Sequence, residues 1–313
     1  MSMPILELVC LAIVAIYVVA RLVRARAGAE RRAFVLRFGA LAIAAAVGEN
    51  SMIRAYGAYA YARSWSLFVD QVPVVVVLVW PVVIDSAATL ARRVIARGTD
   101  ETGAVARTAL LTAAIVFADA SLIEPIAVLA GLWSWTEPGL FEVPLVGIAG
   151  WAMFAGAATA LLERGAATAV LERGAPERSG RLGPALGTYA LTILLAPAVA
   201  HALVLASWWG LFRWTQGSIA PATGIAVAWV VLGAATIAAF RLGRRVPLAD
   251  VLLRAPGAAF FFGLLAIVGA SDGTHGLLFF YALAFAPPYL AAMASRVAVG
   301  DRGAAGIGAL AKR

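Results

Sequence analysis

Nine runs of apolar residues, at 5–23, 33–51, 67–90, 106–130, 143–162, 185–208, 218–240, 251–270 and 276–295, take up most of the chain. Each is close to the roughly 20 residues that an α-helix needs to cross a bilayer core of about 30 Å. In hydrocarbon a helix bonds its own backbone N–H and C=O groups, so such runs do not form lone strands. They predict an all-α fold: a polytopic transmembrane helical bundle of about nine spans. With 63% hydrophobic and 13% charged residues and a mean hydropathy of +0.90, the chain lies far from soluble domains, which carry about a quarter charged residues. The longest polar stretch, Glu163 to Gly183, is too short for a soluble domain. One transmembrane domain over 1–300 is expected, with its motif-bearing part at 48–151 and a cytoplasmic tail at 301–313. No positive n-region precedes the run from Ile5 to Val23 and no small-residue cleavage site follows it, which favours a retained helix over a signal peptide.

Charge sets the orientation. Arg21, Arg24, Arg26, Arg31 and Arg32 separate the first two runs, and Arg92, Arg93, Arg97 and Arg107 the third and fourth. Arg164, Arg173, Arg178 and Arg181 follow the fifth, Arg241, Arg244, Arg245 and Arg254 the seventh, and Arg296, Arg302, Lys312 and Arg313 end the chain. The alternate connections hold only Arg54, Arg63 and Arg213. Twenty-one of the 25 basic residues thus fall on one side, which predicts an outside N-terminus and a cytoplasmic C-terminus in the cell inner (plasma) membrane. The net charge of +8 is explained by those loops, so membrane lipid is the expected partner and nucleic acid is not. The single cysteine, Cys10, rules out an internal disulfide and a multi-cysteine metal site.

The stretch FADASLIEPIAVLAGLWSWTEPGLFEVPLVGIAGW, from Phe117 to Trp151, sets two carboxylates, Asp119 and Glu124, in apolar sequence. A carboxyl group there costs about 2.5–3.5 kcal/mol on insertion scales, which marks it as a functional candidate. On the predicted topology Glu49, Asp70, Asp119, Glu124, His201, Asp272 and His275 gather at one depth, in the outer half of the membrane. Bland readings compete with this one. Glu49 and Arg54 can pair at a helix end, and His201 suits a satisfied bundle histidine as well as a site member. Asp272 and His275 suit loop positions. Asp119 and Glu124, five apart, point about 140° apart on a straight helix and converge only if the helix breaks at Pro125. Asp85, near Arg92 and Arg93, reads as a structural ion pair, and Asp250 as a solvated loop residue. Tyr56, Tyr59, Tyr61, Trp65, Trp133, Trp135, Trp208, Trp209 and Trp214 fit an interfacial aromatic belt, although inward-facing rings beside carboxylic acids would stabilise a cation.

Two histidines are too few for a di-iron or paired-haem centre, and no P-loop, dinucleotide turn or Asp-rich magnesium motif occurs. No metal and no cofactor is therefore expected. What remains is proton chemistry on carboxylic acids.

The segments GENSMIRAYGAYAYARSWSLFVDQVPVVVVLVWP (Gly48 to Pro81) and ADASLIEPIAVLAGLWSWTEPGLFEVPLVGIAGW (Ala118 to Trp151) resemble the membrane carotenoid hydratase family of carotenoid biosynthesis proteins. The likeness is carried by Glu49, Gly57, Tyr59, Tyr61, Pro73 and Trp80, then Asp119, Glu124, Pro125, Gly131, Trp133 and Trp135, and finally Val143, Pro144, Gly150 and Trp151. It covers about a third of the chain, as for a distant member, and the last four spans carry no matching motif. The resemblance implies a hydro-lyase that adds water to a terminal C=C of a carotenoid or other polyprenoid drawn from the bilayer. Asp119 or Glu124 would be the acid and Glu49 the base or water-positioning group. Tyr59, Tyr61, Trp80, Trp133, Trp135, Trp151, Arg54 and His201 would surround the substrate. Two other readings use the same carboxylates: a proton-coupled transporter of a lipophilic or small anionic compound, and an isoprenoid or polyketide cyclase or dehydratase.

Overall fold

The computed structural model describes residues 2–95, 101–173, 183–215, 217, 219–242, 246–269 and 275–294. The expected tail at 301–313, Asp272 and the side chain of His275 lie outside the described residues. The chain is helical, with α1 Met3–Arg24, α2 Gly28–Tyr56, α3 Val74–Val94, α4 Glu101–Leu129, α5 Leu145–Arg173, α6 Gly183–Gly210 and α7 Pro221–Leu242. Among the described residues, seven helices are long and apolar enough to cross a membrane. The runs expected at 251–270 and 276–295 are built from shorter pieces: α8 Leu248–Leu252, α9 Ala255–Gly269, α10 His275–Leu283 and α11 Pro287–Ala294. Apolar side chains such as Leu8, Val23, Leu194, Val230 and Phe280 face outward, as suits a surface solvated by lipid rather than water.

Five helices close on one another. α2 packs on α3, α3 on α4, α4 on α5, α5 on α6, and α6 returns to α2. α1 lies against α3 outside this ring, while α9 touches α4 and α7 packs with α10 and α11. Pro81, Pro125 and Pro197 fall inside α3, α4 and α6, and each helix continues past its proline. Membrane helices tolerate such residues because neighbouring helices help satisfy the freed backbone groups.

Two glycines in the left-handed region end the helices that lead to the site. Gly57, at φ 60°, caps α2 with its N–H on the Ile53 carbonyl, and Gly131, at φ 69°, follows α4. A side chain at either position would be strained, whereas glycine takes this conformation freely. Two residues beyond each glycine a short strand begins: β1 Tyr59–Tyr61, and β4 Trp133–Trp135. The two pair antiparallel, Tyr59 opposite Trp135 and Tyr61 opposite Trp133. A second small pair, β2 Phe68–Val69 and β3 Val72–Pro73, leads into α3.

Charged groups at the other end of the bundle lock helices together. Asp85 accepts from Tyr17 at 2.7 Å and sits among Arg21, Arg37 and Arg92 at 3.1, 3.4 and 3.9 Å. The structure corrects the solvated reading of Asp250: at 3% exposure it is buried between Arg24, at 2.7 Å, and Arg93, at 3.1 Å. Those cations come from α1 and α3, more than 150 residues away, so the loop sequence alone gives no sign of them.

Candidate functional site

The five-helix ring encloses a cavity of about 490 Å³, and the β1–β4 ribbon covers one end of it. Strand side chains alternate between faces, so Tyr59 and Tyr61 share a face with their cross-strand partners Trp133 and Trp135. That face turns toward the cavity, while Ala60 and Ser134 are exposed on the other side. The Y-x-Y and W-x-W spacings are thus two halves of one aromatic lid. The rings pack on one another, with centroids 4.7 Å apart for Tyr59 and Trp135 and 5.7 Å for Tyr61 and Trp133. From the walls, Trp80 of α3 lies 4.3 Å from Trp151 of α5 and 5.1 Å from Phe154.

Two carboxyl groups meet these rings. Glu49, 9% exposed, accepts from Tyr59 Oη at 2.5 Å and Tyr61 Oη at 2.9 Å on Oε2, and from Trp80 Nε1 at 3.0 Å on Oε1. Glu124, 2% exposed, accepts from Trp133 Nε1 at 2.7 Å and Trp135 Nε1 at 2.9 Å on Oε2, and from Trp151 Nε1 at 2.7 Å on Oε1. Each side chain thus holds three donors, and both line the same cavity. Among the described residues neither forms an ion pair; their partners are neutral N–H and O–H groups. Burial pushes the Tyr59 and Tyr61 phenols well above their ordinary range, and the nearby Glu49 adds to this, so both remain hydroxyl groups at neutral pH.

The two cradles differ in one chemical respect. An indole N–H only donates, so Glu124 is held by three groups that can never accept from it. A phenol donates or accepts, so the tyrosines of Glu49 can turn their protons to suit either state of the acid.

Asp119 stands apart. Because α4 runs unbroken through Pro125, the expected convergence with Glu124 does not occur, and Asp119 lines no part of this cavity. Its carboxylate instead forms a tight ion pair with Arg254, which also donates to Ser86 at 2.5 Å, and accepts from Tyr289 at 3.2 Å. Arg54 also lies outside the cavity, in an exposed pair with Asp70 at 2.5 Å, where the Arg54 hydrogen bond holds the Asp70 carboxyl below the usual range. His201 touches Ser51 and Tyr56 behind the cavity wall. Tyr59, Tyr61, Trp80, Trp133, Trp135 and Trp151 all line the cavity. Tyr56, read from sequence as part of an aromatic belt, lines it too. A signal for it existed: Ala45, Gly48, Glu49, Met52 and Tyr56 recur at helical spacing and share the cavity face of α2.

Two expected results follow from this geometry. Asp119→Asn leaves the Arg254 guanidinium, only 11% exposed, without its counter-charge. Breaking a buried pair costs about 3–5 kcal/mol, so thermal unfolding of the purified protein should move to clearly lower temperature. An unchanged midpoint would show the pair to be dispensable. Gly147 lies under the lid, where an added Cβ would come within 2.5 Å of the Trp135 ring. Gly147→Ala should push Trp135 away from Glu124 at a cost of about 1–3 kcal/mol, visible in thermal unfolding together with a changed indole fluorescence. Unaltered fluorescence and midpoint would mean that the lid has room to spare.

Comparison with known proteins adds one match. A family model described as "Carotenoid biosynthesis protein" fits residues 3–212, which span α1 to α6, the ribbon and every residue of the two carboxylate cradles. No curated protein and no solved structure matches the chain.

Proposed function

Because the chain belongs to the carotenoid biosynthesis protein family, we propose that it is a membrane hydratase adding water to the terminal double bond of a carotenoid or related polyprenoid. Its membrane-type helices and its family together give a membrane protein of carotenoid metabolism with a lipophilic isoprenoid substrate. The observation that carries the finer reading is the pair of buried carboxyl groups, held among the described residues by aromatic N–H and O–H donors, in one largely apolar cavity.

In this reading Glu49 carries the proton, because its tyrosines accommodate both the acid and the carboxylate. Its proton goes to the alkene carbon nearer the chain, leaving a cation on the tertiary carbon. Glu124, matched as an anion by three indole donors, faces that charge. The negative faces of the surrounding rings add to the stabilisation. Water then forms the C–O bond and gives its released proton to Glu124; exchange with water in the cavity then returns Glu124 to its carboxylate and Glu49 to its acid, so that atoms and charge balance over the cycle. The Arg-rich connections would lie on the cytoplasmic side of the cell inner (plasma) membrane, with the ribbon and the cavity mouth at the outer surface. Bilayer-dissolved polyene and external water would then meet at that mouth.

The test is expression in bacteria that make acyclic or monocyclic carotenoids, followed by mass analysis of the pigments. Products heavier by one water are expected. Unaltered pigments in every such host would count against the proposal.

A further inference from the structure

His201 of α6 is bonded on both ring nitrogens to α2. Its Nε2 lies 2.7 Å from Ser51 Oγ, and its Nδ1 lies 3.0 Å from Tyr56 Oη. Ser51 Oγ also lies 2.9 Å from the Gly48 carbonyl oxygen. The directions of these bonds follow from counting protons. A carbonyl only accepts, so the single Ser51 proton goes to Gly48. Ser51 must then accept from His201 Nε2–H, which leaves Nδ1 of the neutral ring as a bare acceptor, and the Tyr56 hydroxyl donates to it. For a neutral ring, any other arrangement sets two donors or two acceptors against each other across one of the three contacts.

Tyr56 is consequently a hydroxyl whose proton is committed to the imidazole and whose oxygen lone pairs remain available. The residue is 40% exposed and lines the cavity that holds Glu49 and Glu124. Thr136 and Trp209, which also line that cavity, are exposed like Tyr56, whereas Glu49 and Glu124 are buried.

We propose that Tyr56, oriented by His201, positions the water that attacks the cation. A water that donates to Tyr56 keeps an oxygen lone pair for the tertiary carbon. His201 touches no reacting atom; it is a positioning residue whose effect runs through Tyr56. This inference rests on the hydratase reading. It separates two steps of that reaction, proton transfer to the alkene and capture of the cation by water. Without a positioned water the cation returns a proton and becomes an alkene again. In heavy water that return leaves deuterium in the recovered substrate.

The experiment uses the full chain, purified into lipid vesicles with an acyclic carotenoid in heavy water, and follows alcohol and deuterated alkene together. For the wild type, alcohol should dominate. Tyr56→Phe and His201→Phe should lower alcohol formation by tenfold or more, on the order of a lost positioning or general-base contact, while deuterium continues to enter the alkene. His201→Gln, whose amide can accept from Tyr56 and donate to Ser51, should restore part of the alcohol. A variant that only loosened the fold would lose both products together. That result, or a wild-type ratio of alcohol to exchange in Tyr56→Phe, overturns the inference. Wild-type protein that gives neither product removes the hydratase reading itself and this inference with it.

Discussion

Glu124→Gln should abolish hydration and weaken the fold in the same molecule. The amide keeps the shape of the side chain but presents an NH2 group where an oxygen stood. Three indole N–H groups, of Trp133, Trp135 and Trp151, point at that side chain, and none can turn from donor to acceptor. With the amide oxygen left on Trp133 and Trp135, the NH2 group faces the Trp151 N–H. A buried donor left unsatisfied costs about 1–3 kcal/mol. Losing a carboxylate that acts as base and as counter-charge should slow product formation by about 10²–10⁴-fold. Thermal unfolding and pigment analysis on one preparation read both effects. Wild-type product formation from Glu124→Gln would remove this residue from the chemistry.

Glu49→Gln should show the opposite balance, with the reaction lost and the fold nearly untouched. Here the amide oxygen can accept from Trp80, and the NH2 group can donate to the two tyrosine hydroxyls that previously donated to Oε2. Phenols permit that reversal, their own protons turning into the cavity that both tyrosines line. The stability change should therefore stay within about 1 kcal/mol, the net worth of one ordinary hydrogen bond. The amide has no proton to give an alkene, so hydration should again fall by about 10²–10⁴-fold. The contrast between the two variants is sharper than either alone, since it follows from indole and phenol chemistry rather than from burial. Equal destabilisation by both would show that the two cradles are not distinct in this way.

Much of this architecture can be read from the chain, because the signals that specify it are local. Apolar length marks the membrane helices, and Glu49 and Glu124 stand out as carboxylates in oil. Gly57 and Gly131, each two residues before an aromatic-x-aromatic triplet, mark the ribbon once it is known to exist. What local sequence does not carry is pairing at a distance. Nothing near Asp119 suggests Arg254, 135 residues further on, so an ion-paired lock looks like a free proton donor. Asp250 reads as a solvated loop residue for the same reason, its cations lying on α1 and α3. Arg54 lies about 140° around α2 from Glu49, off the cavity face, where Asp70 claims it. Tyr56 was hidden by the opposite error: interfacial aromatics are so ordinary that its place on the Glu49 face of α2 carried little weight. The last two expected spans divide into shorter helices, because composition fixes how much of a segment is apolar but not where a turn interrupts it.

One measurement bears on the central claim more directly than the rest. Purified protein in lipid vesicles would be given an acyclic carotenoid in oxygen-labelled water, beside a variant carrying both Glu49→Gln and Glu124→Gln. The account predicts a tertiary alcohol containing the label from the wild type and none from the double variant. Labelled alcohol formed equally by both proteins would contradict it, since the paired carboxyl groups would then have no part in the reaction.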